Sequence, residues 1–341
     1  MLSFENDYNR GACPEILRRL AELNGEPRTG YGQDELCRSA AEKLRAACGC
    51  PEAEVYFLTG GTQTNQVACA ALLDSFQGVI AAETGHVSIH EAGAVEATGH
   101  KVIALPGKEG KLEAETLRAW LTRFYGDETH EHMVFPGLVY LSHPTELGTL
   151  YSKTELTALS EVCRAYDLPL YLDGARLGYG LMSPQSDLTL PEIAALCDAF
   201  YIGGTKMGAL FGEALVFPRG NAPAHMLTRV KQRGALLAKG WLLGLQFDTL
   251  FTDGLYFRLG ENAIRQAGRL RALLLEKGYA LWAESPTNQQ FVLLEDAQAA
   301  ALQERVRLSF WDKPDETHTV LRFCTGWGTS DEDMEQLAEI L

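Results

Sequence analysis

Short apolar runs alternate with helical patterns through the first two thirds of this chain, and several runs stop at glycine, threonine or aspartate. Val55–Leu58 ends in Thr59-Gly60-Gly61-Thr62, Gly78–Ala82 runs into Glu83-Thr84-Gly85, and Lys101–Leu105 stops at Pro106-Gly107. Leu138–Leu141, Pro169–Leu172, Ala199–Ile202 and Glu213–Phe217 continue the series. Brief apolar runs bounded by such turns suit strands buried on both faces. Between them, Gln63–Asp74, Glu113–Tyr125, Lys153–Tyr166 and Leu190–Cys197 read as helices, and His86–Thr98 reads as a further short one. This alternation predicts an α/β fold whose mostly parallel sheet is covered by helices.

The rhythm changes near Leu250. Leu236–Phe251 and Leu259–Lys277 predict long helices, and Phe291–Leu294, Val306–Phe310 and His318–Phe323 predict strands. Ser330–Leu341 predicts a closing helix, with Ser330 as N-cap and Asp333 in the box position. We therefore expect a large domain over residues 1–250 and a smaller C-terminal α+β domain over 251–341.

Charge and composition exclude several partners. The formal net charge is −15 with no long Lys/Arg run, so a nucleic-acid partner is not expected. No apolar stretch approaches a membrane span, and MLSFENDYNRG does not open like a signal peptide. The eight cysteines form no CxxC pair and mostly lie in apolar contexts. Buried free thiols, and hence a cytoplasmic location, are the expectation.

In parallel α/β sheets, ligands gather at the carboxyl ends of the strands. Four segments stand there: Thr59–Asn65, Glu83–His90, Asp173–Arg176 and Gly203–Gly208. Gly60-Gly61-Thr62 opens a helix whose free N–H groups favour an anion, although such turns also occur without a ligand. It is neither GxGxxG nor GxxxxGK[ST], which disfavours a nicotinamide oxidoreductase and a nucleoside triphosphatase. Asp173 ends an apolar run and needs a partner, either Arg176 or a protonated ring nitrogen. Lys206 sits in a glycine-flanked turn one strand beyond Asp173, a placement that suits a covalent amine. His86 and His90 lack the HExxH pattern, so no metal site is expected.

Together GGTQTN, ETGHVSIHEAGA, LYLDGARL and YIGGTKMGALFGEAL, in this order, resemble the threonine aldolase / β-eliminating lyase family of pyridoxal-phosphate (PLP) enzymes. The resemblance runs from FENDY to the final helix. It implies the aspartate-aminotransferase fold, with a seven-stranded-type sheet in a large PLP-binding domain. It also implies aldol cleavage of L-threonine or L-allo-threonine to glycine and acetaldehyde, with β-elimination or transamination of another small amino acid as the alternative. A protein of this fold without catalysis would be expected to lack Lys206 or Asp173, and both are present.

Roles follow by the same resemblance. Gly61, Thr62 and Gln63 match the phosphate-binding turn, and His86 the histidine stacked on the pyridine ring near the substrate hydroxyl. Asp173 matches the aspartate at the ring nitrogen, and Lys206 the Schiff-base lysine. Arg176 matches an arginine facing the cofactor oxygen or the substrate carboxylate, and Arg322 in LRFCTGW the carboxylate-binding arginine. Asn6 falls where many relatives have a serine near that carboxylate. Tyr31 resembles a residue that enters from a neighbouring subunit, as expected of a homodimer or homotetramer with shared sites. The chain departs from the usual pattern at TKMG, where relatives read SKG, and at SHPTELG, where relatives read ENTHN-like sequences. Trp241 stands where many relatives carry a phosphate-binding arginine, with Lys239 as the substitute.

Overall fold

A computed structural model describes residues 1–341. Its large sheet has seven strands: β1 Glu54–Leu58, β2 Gln77–Ala82, β3 Val102–Leu105, β4 Phe135–Ser142, β5 Leu170–Asp173, β6 Ala199–Gly203 and β7 Glu213–Phe217. In space they run β1-β7-β6-β5-β4-β2-β3. All neighbours are parallel except β7, which runs antiparallel to both β6 and β1. This is the mostly parallel, helix-covered α/β sheet expected from the sequence.

The runs that seemed apolar throughout divide by strand period. Val139, Leu141, Leu170, Leu172, Phe200 and Ile202 pack into the larger core on one face. Leu138, Tyr140, Tyr171, Ala199 and Tyr201 pack into the core on the other. Tyr140, Tyr171 and Tyr201 lie side by side across β4, β5 and β6, with ring centroids 5.9 and 6.5 Å apart. Each stands two residues before its strand's end. Their hydroxyls therefore reach the carboxyl edge of the sheet.

A second, antiparallel sheet comprises β8 Ala280–Leu281, β9 Gln289–Glu295, β10 Ser309–Asp312 and β11 His318–Cys324, in the order β10-β11-β9-β8. The N-terminus joins this region. Leu2–Ser3 pairs in parallel with Val306–Arg307, and Phe4 is buried in the same apolar cluster as Val292, Leu321 and Phe323. The closing helix Asp331–Ile340 carries the expected capping box, with Ser330 accepting from the Asp333 N–H.

Some boundaries differ from expectation. The helix expected over His86–Thr98 is one turn, His86–Ile89, followed by a separate 3-10 turn at Glu96–Thr98. Ala92 and Gly93 adopt positive φ between them, which no α-helix accommodates. The next helix begins at Trp241 rather than Leu236, and the long one at Leu255 rather than Leu259. Helices Pro14–Leu23 and Glu35–Cys48 precede the sheet, and the second packs on Trp241–Leu250.

Candidate active site

The carboxyl ends of β1, β2, β4, β5 and β6 surround a cavity of about 310 Å³. Gly61, Thr62, His86, Asp173, Arg176 and Lys206 all line it, so the four segments singled out in the sequence meet in one place. Tyr8, Glu91, Glu146 and Glu213, which sequence reasoning did not single out, line it too.

Lys206 occupies a single 3-10 turn, Thr205–Met207, directly after β6. The turn is pinned from both sides. Tyr179 Oη donates to the Lys206 carbonyl, and Glu213 accepts from the Gly204 N–H at 3.0 Å and from Thr205 Oγ1 at 2.8 Å. Burial pushes the Glu213 carboxyl up to about 7. The Lys206 ammonium is half-buried and pairs with no carboxylate. Burial, then the Arg176 charge, lowers its pKa, which increases the share of free amine able to act as a nucleophile.

Asp173 ends β5 and is buried. The Arg176 pairing suggested by their spacing does not form. Instead the carboxylate accepts from Tyr140 Oη at 2.7 Å, Asn65 Nδ2 at 2.9 Å and the Ala175 N–H at 3.0 Å. Burial works to raise its pKa, but His86, the Tyr201 and Tyr140 hydroxyls and the Asn65 amide outweigh it. The group is thus held ionised, below the usual carboxylate range. Gly174 is needed beside it, because a Cβ there would stand 2.0 Å from the Tyr201 carbonyl oxygen.

Arg176 instead grips Asp7 with two parallel hydrogen bonds, Nε to Oδ2 at 2.7 Å and Nη2 to Oδ1 at 3.0 Å. Asn288 Nδ2 adds a third donor to Asp7 at 2.9 Å. Burial alone would raise the Asp7 carboxyl, yet Arg176 and Lys206 bring it down to about 2. The pair joins the N-terminal segment, through Asp7, to the turn after β5.

His86 Nδ1 lies 2.8 Å from Glu91 Oε1, and its backbone N–H donates to Glu146 Oε1 at 2.9 Å. An open hydrogen-bonded network results. It runs from Ser142 through Glu146, His86, Glu91, Asn65 and Asp173 to Tyr140, with the Ser142 hydroxyl donating to Glu146 and the Tyr140 hydroxyl to Asp173. Asn65 bridges the two carboxylates of Asp173 and Glu91, and its Oδ1 accepts from Tyr171 Oη at 2.9 Å. A sequence signal existed for part of this network, since tyrosines recur at the same position in three successive strands. None existed for Asp7, which is distant in sequence from everything it touches.

On the far side, the helix Gly61–Leu72 points its N-terminus at the cavity. It has no side-chain cap and no acid in its first turn, and the Gly61, Thr62 and Gln63 N–H groups make no backbone bond. These are the conditions under which a helix end holds an anion. Gly61 leaves little room for a side chain, because its Cβ would lie 3.0 Å from Tyr201 Oη. The Gln63 side chain turns away and accepts from Thr59 Oγ1 at 2.6 Å.

The remaining expected residues lie outside the cavity wall. Asn6 borders a narrow cleft with Trp327 and accepts from the Tyr8 N–H at 3.1 Å. Arg322 donates to Gln289 Oε1 at 3.0 Å and to Ser309 Oγ at 3.3 Å, with its guanidinium 5.3 Å from the Trp311 ring centroid. Tyr31 is exposed at a separate, mostly apolar cavity of about 420 Å³, with the Lys231 ammonium over its ring. Lys239 is exposed next to that second cavity, and Trp241 packs against the Arg28 guanidinium. His90 is exposed, with its ring 5.6 Å from that of His86.

Known proteins resemble this chain at several levels of similarity. The family model for beta-eliminating lyases matches residues 5–302. A low-specificity L-threonine aldolase of Pseudomonas aeruginosa is 30% identical over 338 residues, covering 98% of this chain and 95% of that protein. The solved structure of Leishmania major threonine aldolase superposes with a TM-score of 0.95 at 42% identity, over 100% of this chain and 98% of that one. An aspartate aminotransferase of Thermus thermophilus shares the fold, with a TM-score of 0.70 at 16% identity, over 100% of this chain and 92% of that one.

Proposed function

The chain belongs to the beta-eliminating lyase family, and on that premise we propose that it cleaves β-hydroxy-α-amino acids, with L-threonine or L-allo-threonine giving glycine and acetaldehyde. The observation that carries this reading is the unpaired Lys206 amine facing the same cavity as the ionised Asp173 and an uncapped helix N-terminus. Amine, carboxylate and anion site are the three groups that hold PLP by its aldehyde, ring nitrogen and phosphate.

Lys206 would hold the aldehyde covalently, helped by its lowered pKa. Asp173, fixed by Tyr140, Asn65 and the Ala175 N–H, would keep the ring nitrogen protonated by an opposite charge. Gly61 and Thr62, with the Gln63 backbone, would receive the phosphate. Bound PLP supplies an electron sink for negative charge at the substrate Cα. Arg322, whose Nε is buried without a partner, and Arg176, whose Nη1 is left free by Asp7, would hold the substrate carboxylate, with Asn6 nearby. Glu91 holds Nδ1 of His86, so His86 would pack over the cofactor and assist at the β-hydroxyl through Nε2, directly or through a water.

Tyr31 and Lys239 reach no cavity of their own chain that holds these groups. In this reading they serve the site of a neighbouring subunit in a homodimer or homotetramer. No helix is long and apolar enough to cross a membrane, and the eight unpaired cysteines support a cytoplasmic setting. Lys206→Ala is expected to abolish both the visible absorption of the bound cofactor and the release of acetaldehyde. Full turnover by that variant, or ammonia and a keto acid as the products, would overturn the reading.

A further inference from the structure

Glu146 follows the turn at the end of β4 and lines the cavity, with only 7% of its surface exposed. Its Oε1 accepts from Ser142 Oγ at 2.5 Å and from the His86 N–H at 2.9 Å. Its Oε2 is buried and accepts from nothing. Such an oxygen is costly to leave without a donor. The neighbouring acids differ. Asp7, Asp173 and Glu213 each have donors on both oxygens. Glu91 also has a free Oε2, but its side chain is wholly enclosed and its Oε1 is committed to His86 and Asn65.

A ligand that satisfies Oε2 must bring a donor. The group that distinguishes a β-hydroxy-α-amino acid from other amino acids is its hydroxyl, which is a donor. We propose that Glu146 accepts the β-hydroxyl proton of the substrate, as a further catalytic residue of the cleavage. This rests on the aldol-cleavage reading. The proton passes from the β-oxygen to Oε2, and the Cβ–O bond becomes C=O as the Cα–Cβ bond breaks. The electron pair of that bond remains with Cα, which then takes one proton to give glycine. Glu146 returns its proton to solvent, and no oxidant or reductant is consumed. Burial raises the Glu146 carboxyl above its ordinary value, which makes the ionised form a better base. His86 and Ser142 hold the other oxygen and so aim the carboxylate.

Glu146→Gln in the cofactor-loaded protein tests this. The amide oxygen can keep both hydrogen bonds that Oε1 accepts, but the amide nitrogen cannot take a proton. Three readings are compared with the unsubstituted protein: the visible cofactor band, exchange of the glycine α-proton in D2O, and acetaldehyde release from threonine. Glycine has no hydroxyl, so its exchange does not need this base. The band and the exchange are expected to stay within about twofold, while cleavage falls by about 100-fold or more. Glu146→Asp, which keeps the acid, is expected to recover part of the cleavage. Cleavage by Glu146→Gln within about threefold of normal overturns the assignment, as does a parallel fall in exchange and cleavage, or an Asp variant no better than Gln. An unsubstituted protein that shows the band but neither cleavage nor exchange overturns the aldolase reading instead.

Discussion

With Asp7 removed, Arg176 would lie buried beside Lys206 with nothing to neutralise it. Breaking a buried pair by deleting one partner typically costs about 3–5 kcal/mol. Asp7→Ala is therefore expected to lower the unfolding free energy by roughly that amount in urea titrations at neutral pH. The pair also predicts a pH window. The Asp7 carboxyl is lowered from 3.8 to about 2 on folding, so its contribution is fully present above pH 3.8 and is lost as pH falls toward 2. One pKa unit corresponds to about 1.4 kcal/mol, so about 2 kcal/mol of the difference between the two proteins should vanish across that window. A difference that stays constant from pH 6 to pH 2 would rule this out. At this scale Lys206, Asp173 and His86 were legible, because each sits in an unusual local context: a glycine-flanked lysine, an acid ending an apolar run, a histidine after a strand. Asp7, Asn65 and Glu146 were not, because their meaning lies in partners that the chain brings from elsewhere.

Among the elements, the helix Trp241–Leu250 shows where periodicity stops being informative. It is buried from Leu243 to Leu250, so no polar face marks its limits. Gly244 lets it approach the helix Glu35–Cys48. A Cβ at this position would stand 2.5 Å from Cys37 Sγ and 2.6 Å from the Cys37 backbone nitrogen. Gly244→Ala sets a helix-propensity gain of about 1 kcal/mol against an overpacking cost of about 1–3 kcal/mol. Because the obstacle is partly backbone and cannot rotate away, the cost should win. A lower midpoint in thermal unfolding is the expected result, and an unchanged or raised midpoint would show that the two helices separate easily. The strands behave differently. Their apolar runs were readable, and so were their glycine ends, but only the sheet order places Tyr140, Tyr171 and Tyr201 side by side.

For the whole molecule, the position of Tyr31 gives the test of shared sites. Lys206→Ala and Tyr31→Ala subunits should each be impaired alone, yet a dimer made of one of each contains one intact site. Random reassortment of equal amounts is expected to restore about a quarter of normal activity. No recovery, with mixed dimers demonstrated, would confine each site to one chain. By itself the sequence determined the alternation of strand and helix, the four glycine- and acid-bearing turns, and hence which strand ends meet around the cavity. Those are local properties: period, turn residues and the fate of a charge beside an apolar run. Tertiary structure alone decided that Arg176 pairs with Asp7 rather than Asp173, that the N-terminal strand docks on residues of the last third, and that Glu91 and Glu146 both bond to His86 while Asn65 links Glu91 to Asp173. Contacts between separate turns and elements follow from strand order and layer packing, and no local pattern in the chain encodes them.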